Sequence, residues 1–210
     1  MPKKLLLSAI AIPLVAWGAV FDWERLPAGR WVPVPASGVA APKVFHGGAT
    51  IIPERSLVIF FGSDTHAPTP LEGGESNAVW RLDLATLQWS QDYEQDPKTT
   101  YRLLPDGQAQ TTTGRPWAMH TFASVDWDPE VKRVVVVSGP IHARFAPQRR
   151  FPMFTEDKWW EKVRASHWEY DVDGRKWQRL EAGAPPLFAQ AMVWDSHRKE
   201  IGRASCWERV

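Results

Sequence analysis

One pattern limits the architecture of this chain more than any other: short segments bracketed by tryptophans, each with a turn between them, return along it. Trp80 to Trp89 reads Trp-Arg-Leu-Asp-Leu-Ala-Thr-Leu-Gln-Trp, and Trp168 to Trp177 repeats the nine-residue spacing as Trp-Glu-Tyr-Asp-Val-Asp-Gly-Arg-Lys-Trp. Trp23 to Trp31 is a shorter version with its tryptophans eight apart. Each alternates apolar and polar residues about a turn rich in Asp, Gly, Pro or Thr, which predicts a β-hairpin. None sustains a helical period. A second kind of hairpin precedes the later copies. Residues 46–52 and 57–62 flank a turn at 53–56, and residues 120–127 and 133–139 flank one at 128–132. Residues 188–194 begin a third, with its turn at 195–199. The second strand of each complete pair (Leu57-Val58-Ile59-Phe60-Phe61-Gly62, and Arg133-Val134-Val135-Val136-Val137-Ser138-Gly139) is a nearly unbroken apolar run. A strand covered on both faces needs such a run, and the closing Gly lets the backbone turn freely.

Together these predict an all-β chain of four-stranded antiparallel units: inner hairpin, long loop, outer hairpin, long loop. An apolar strand ending in Gly, followed by Trp80-Arg81-Leu82-Asp83-Leu84-Ala85-Thr86-Leu87-Gln88-Trp89, resembles the kelch repeat of galactose-oxidase-like β-propellers of the bacterial exported type. The resemblance covers nearly all of residues 22–199. It departs from the family in the glycine doublet, which stands here as Phe61-Gly62 and Ser138-Gly139, and in the length of the insertions. A propeller blade takes roughly 40 to 50 residues, and rings close with about four to eight. The resemblance therefore implies an incomplete propeller over residues 19–199, with two full blades and two partial ones. The first partial blade is the orphan hairpin at Trp23 to Trp31.

Recurrence in every unit assigns the tryptophans to packing between stacked blades, since one ligand site would not require them in each. His46 and His120 are placed at matching positions before the inner strand and are read as structural, because a metal needs three or four converging ligands. No metal site is expected. In an antiparallel meander alternate connections lie at opposite ends of the strands. The short turns at 53–56, 84–87, 128–132, 172–175 and 195–199 then share one face, and the long connections 63–77, 90–116 and 140–165 share the other. Long loops in compact domains carry function or are disordered, so the long-loop face is the expected binding face.

The connections differ in character. Segment 63–77 is polar and Gly-rich; Asp64, Glu72 and Glu75 lack regular calcium-ligand spacing and are read as solvated. Segment 90–116, with Asp92, Glu94, Asp96 and three consecutive threonines, is also read as solvated. Segment 140–165 combines arginines with aromatics, and Thr155 is placed to cap a short helix there. Rings stack on a ligand while guanidinium groups make paired hydrogen bonds to a carboxylate, which suits an anionic or sugar-like molecule. Arg144, Arg149, Arg150, Trp159 and Trp160 are the ligand-binding candidates. The competing reading has these aromatics packing the loop onto the ring, because a long ordered loop needs a small core of its own.

Both termini read differently from the middle. Lys3 and Lys4 precede an uncharged stretch from Leu5 to Phe21, and Ala16-Trp17-Gly18 offers small residues at signal-peptidase spacing. Residues 1–18 are expected to be a cleaved export signal, in helical form, with an uncleaved anchor as the alternative. The mature protein is then periplasmic or secreted, free of the membrane. Residues 200–210 resemble the in-frame translation of a sequencing adapter, apart from Trp207, and are set outside the natural chain. The one Cys, Cys206, falls among them, so no disulfide framework is expected. A net charge of +1 gives no basic field for nucleic acid.

No Ser/His/Asp motif, phosphate loop or dinucleotide fingerprint is present, and no catalytic residue or cofactor is assigned. The resemblance favours an exported, non-catalytic scaffold that binds a protein, carbohydrate or anionic ligand through the long-loop face. The enzymatic alternative it implies is a periplasmic activity of sialic-acid mutarotase type. A copper-radical oxidase relative is disfavoured: residues 19–199 hold no Cys, and Tyr93, Tyr101 and Tyr170 match no copper-site motif.

Overall fold

The computed structural model of the chain describes residues 21–40, 46–63, 75–138, 164, 166–181 and 190–205. These residues are all-β, with thirteen strands and three single-turn 3-10 segments among them. The first sheet has the order β1-β5-β4-β3-β2, from β1 (Ser37–Gly38), β2 (Gly48–Ile52), β3 (Leu57–Phe61), β4 (Trp80–Asp83) and β5 (Gln88–Gln91). Strands β2 to β5 form an antiparallel meander, and β1 adds a parallel edge beside β5. Strands β6 (Tyr101–Leu103) and β7 (Ala109–Thr111) pair as a small hairpin within the connection that follows. The second sheet is another four-stranded antiparallel meander of β8 (Val125–Asp128), β9 (Arg133–Ser138), β10 (Ser166–Asp171) and β11 (Lys176–Leu180). Strands β12 (Gln190–Asp195) and β13 (Glu200–Ser205) form a third hairpin. Residues 200–205, set aside on sequence grounds, thus supply the second strand of that pair.

The five hairpins β2–β3, β4–β5, β8–β9, β10–β11 and β12–β13 use one turn. Each has four loop residues, and the last is left-handed although none is glycine: Ser56, Leu87, Lys132, Arg175 and Lys199 have φ between 49° and 57°. That conformation costs an L-residue about 1–2 kcal/mol. Local hydrogen bonds offset it in four of the five. The carboxylates of Asp83, Asp128, Asp171 and Asp195 each accept N–H groups from the residues two and three positions on, at 2.8 to 3.2 Å. The turn after Ile52 instead begins with Pro53, whose fixed φ suits the first position of its 3-10 turn.

The two meanders stack face to face. Ile52, Ile59 and Phe61 of the first sheet meet Val125, Trp127, Val134, Val136, Trp168 and Tyr170 of the second in a single buried cluster. Burying one such aliphatic or aromatic side chain contributes roughly 1.5–3 kcal/mol. Period-two alternation sets which residues face inward. On β2, Gly48, Thr50 and Ile52 are buried while Ala49 and Ile51 are exposed. Strands β2, β8 and β12 lie side by side. At two places this arrangement admits only glycine. A Cβ on Gly48 would stand 2.5 Å from the Phe122 carbonyl oxygen and 2.6 Å from Val125 Cγ2. Gly62 has φ +77°, and a Cβ there would stand 2.6 Å from Thr121 Cγ2.

Side chains and one backbone bond join the edges of β2, β8 and β12. Thr50 Oγ1 accepts the Trp127 N–H at 3.1 Å and donates to Asp126 Oδ1 at 2.9 Å. Asp126 Oδ2 accepts the Trp194 N–H at 2.6 Å, and the Met192 N–H reaches the Ala123 carbonyl at 2.8 Å.

Two expectations need correction. The Trp23–Trp31 segment forms no hairpin: Trp23–Arg25 is a 3-10 turn, no strand covers residues 26–36, and Trp31 is fully exposed. Pro27, Pro33 and Pro35 remove three backbone donors from this stretch, and a sheet interior cannot spare them. The chain joins the first sheet beyond this stretch, at the two-residue β1 on the rim of β5, and Trp23 Nε1 donates to the Leu84 carbonyl of the β4–β5 turn at 3.3 Å. His46 and His120 do not occupy equivalent places either. Counting back from Pro53 and Pro129, His46 matches Phe122, and both are left-handed, with φ of 55° and 47°. The two imidazoles nevertheless meet edge to face, with centroids 5.0 Å apart, and Phe122 packs on both.

Candidate functional site: the long-connection end

The short turns lie at one end of the sheets. The Leu84 N–H bonds the Ser56 carbonyl at 2.7 Å within the first sheet. Arg55 grips Asp173 of the second through two bonds of 2.6 and 2.8 Å, and Lys199 of the third hairpin pairs with Glu130 at 3.4 Å. Antiparallel alternation puts the long connections at the opposite end. The ligand-binding candidates Arg144, Arg149, Arg150, Trp159 and Trp160, like the proposed cap Thr155, fall outside the described residues. The connection carrying them leaves β9 at this end. Its far side returns at Arg164, whose N–H bonds the Gly107 carbonyl of the β6–β7 turn at 2.8 Å.

Connection 90–116 is not the solvated loop expected of it. It folds as the β6–β7 hairpin, with Tyr101, Ala109 and Thr111 buried, and Arg179 of β11 holds its turn through Asp106 at 2.8 Å. A chain of polar groups fixes it to both sheets. Trp177 Nε1 donates to Tyr93 Oη at 2.7 Å, and Tyr93 donates to the Asn77 carbonyl at 2.6 Å. Buried Asn77 then takes Asp96 from two sides: its Nδ2 donates to the carboxylate, and its Oδ1 accepts the Asp96 N–H, each at 2.8 Å. Thr113 Oγ1 and Arg115 Nη1 approach the same carboxylate at 3.3 Å, and the Arg115 guanidinium lies 4.0 Å over the Tyr93 ring. Glu75, also read as solvated, is buried and paired with Lys98 at 3.1 Å.

A second cluster lies between the sheets. Asp92, its side chain 1% exposed, accepts from Arg81 Nε at 2.7 Å and from the Tyr170 hydroxyl. Arg175 Nε stands 3.4 Å away, and Arg81 also donates to the Val172 carbonyl. Burial lowers the Arg81 pKa, but the hydrogen bond and charge of Asp92 outweigh it and leave the guanidinium above its ordinary value. Burial first, then the bond to Asp92, raises the Tyr170 phenol well above its ordinary pKa of 10.0. Burial likewise raises Tyr93.

A phenol whose folded pKa lies above its unfolded value contributes stability that is complete below about pH 10 and is lost as pH climbs beyond it. The urea midpoint is therefore expected to be flat from pH 7 to 9 and to fall by pH 11. Tyr170→Phe is expected to fall less steeply over that window. An equal slope in the variant would remove Tyr170 from the account.

In both clusters the polar groups donate and accept among themselves, which suits anchoring rather than proton transfer or nucleophilic attack. Among the described residues no three His, Cys, Asp or Glu side chains gather as a metal's ligands would, and no helix is long and apolar enough to cross a membrane. The tryptophans divide. Trp168 is buried, and Trp177 spans the sheets with its ring 4.5 Å from Phe61 and 4.7 Å from Tyr170. Trp89 packs on Phe60 at 5.1 Å within the first sheet. The register of β4, not the alternation of its sequence, accounts for the buried ion pair. Arg81 pairs with Ile59 across β3–β4 and so faces the core, where a guanidinium requires a carboxylate.

Compared with known proteins, the chain matches no family model and no curated protein.

Proposed function

We propose that the four-stranded sheets are blades of a kelch-type β-propeller, exported to the periplasm or beyond. In this reading the protein is a non-catalytic scaffold that holds a protein, carbohydrate or anionic ligand on its long-connection end. The observation that carries the reading is the contrast between the two ends. One is closed by five near-identical four-residue turns. The other carries the long connections, of which 90–116 is tied down through Asn77, Asp96 and Asp92. Function concentrates where a rigid scaffold supports variable loops. Face-to-face stacking of two antiparallel meanders, with β2, β8 and β12 adjacent, is the packing a radial array requires. Arg144, Arg149, Arg150, Trp159 and Trp160 are the proposed contact residues, on the connection between β9 and β10.

The test is a binding screen of the full chain against sialic acid, acidic sugars and neutral glycans, repeated with Arg149→Ala and Trp160→Ala. A loss of at least tenfold in affinity with an unchanged unfolding midpoint supports a site. Parallel loss of affinity and midpoint assigns these residues to packing. Accelerated interconversion of sialic-acid anomers, followed by NMR, would replace the scaffold reading with an enzymatic one.

A further inference from the structure

The opposite end of the inner strands carries a feature that the long connections do not explain. Where β2, β8 and β12 run side by side, two open grooves of about 530 and 330 Å3 adjoin, sharing Ile51 and Asp126 in their walls. The combined trough follows the strand direction from Ala49 and Val58 down to Pro53 and Val193. Two of its aliphatic side chains stand out of contact with the core: Ile51 is 54% exposed and Val193 65%. Exposed aliphatic residues that line one groove mark a contact surface more often than a bare one. Trp194 adds a half-buried ring to the same wall.

The charge of the trough has one sign. Its ionisable lining residues are Asp126 and Glu54, both acidic. Asp126 is held by Thr50 and by the Trp194 N–H, which fixes the carboxylate at the junction of the two grooves. Glu54 has no ion-pair partner among the described residues. The neighbouring guanidinium of Arg55 is committed to Asp173 through two bonds. An open, apolar trough with fixed negative charge at its middle and rim complements an extended apolar strand that carries cations.

We propose that this trough binds an extended apolar segment of another protein bearing lysine or arginine, its aliphatic side chains on Ile51 and Val193 and its cation between Asp126 and Glu54. The site reaches the short-turn end and shares no residue with the ligand site proposed for the long connections.

The experiment uses fluorescence anisotropy with the full chain and a labelled, acetylated hexapeptide of alternating valine and lysine. Its counterpart with glutamate for lysine is the control. Saturable binding of the lysine peptide is expected, at least tenfold tighter than the glutamate peptide and weakened at high salt as exposed ion pairs are screened. Ile51→Ser, Val193→Ser and Glu54→Gln alter exposed side chains, so the fold is retained, and each is expected to weaken binding at least threefold. Val131→Ser, on an exposed apolar residue outside the trough, is expected to leave it unchanged, as is Arg149→Ala. Equal binding of the two peptides, absence of saturable binding, or indifference to both Ile51→Ser and Val193→Ser would overturn the proposal.

Discussion

Replacing Asp92 with alanine is expected to lower the free energy of unfolding by about 3–5 kcal/mol, the cost of leaving one member of a buried ion pair without its partner. The reason is local. Arg81 is 15% exposed in its side chain and Asp92 1%, so water cannot take the place of the missing carboxylate. Tyr170 would lose its acceptor in the same step, which adds the desolvation cost of a buried hydroxyl. Removing both charges tests the explanation. Arg81→Met with Asp92→Leu is expected to be milder than Asp92→Ala alone, because an apolar pair of similar volume carries no uncompensated charge. Urea unfolding with an unchanged m-value is the appropriate measurement. A cost below 1 kcal/mol for Asp92→Ala would mean that the pair is hydrated and the sheets are not dry at that point.

The second large effect is expected at Trp177, where alanine should cost about 3 kcal/mol, near the lower end for an aromatic truncation because the ring is only half-buried. Its indole lies between Phe61 of one sheet and Tyr170 of the other, and its N–H bonds Tyr93. Trp177→Phe keeps most of the apolar contact and removes the donor, so it isolates the hydrogen bond at about 1 kcal/mol. Trp31 provides the contrast. It is fully exposed, and Trp31→Ala is expected to stay within about 0.5 kcal/mol of the unsubstituted chain. Similar losses at Trp31 and Trp177 would contradict the division between a packing tryptophan and a solvent-facing one.

That division marks where sequence reading succeeded. The hairpins around residues 53–56, 84–87, 128–132, 172–175 and 195–199 were legible because their determinants are local: strands with clear alternation and, in all but the first, an Asp that accepts the amides two and three residues on. Trp23 to Trp31 shared the tryptophan spacing but not those determinants. Pro27, Pro33 and Pro35 withdraw donors there, and no residue from Trp23 to Trp31 joins a ladder; the pairing with β5 is made beyond it, at Ser37 and Gly38. The connection at 90–116 misled for the opposite reason. Asp92 and Asp96 look hydrophilic in sequence, yet each is buried by partners far along the chain: Arg81 and Tyr170 for one, Asn77 and Arg115 for the other. Composition alone cannot report a partner supplied by tertiary structure.

The Thr50–Asp126 arrangement has a bearing on solubility. A strand at the margin of a sheet offers its free amides to any stray chain, and proteins that leave such margins open are prone to fibrous association. On β8 the Trp127 amide is already taken by a threonine hydroxyl, and on β12 the Trp194 amide by a carboxylate. Neither amide can serve as the first rung for a foreign strand, so at these two positions β8 and β12 offer no donor to a stray chain.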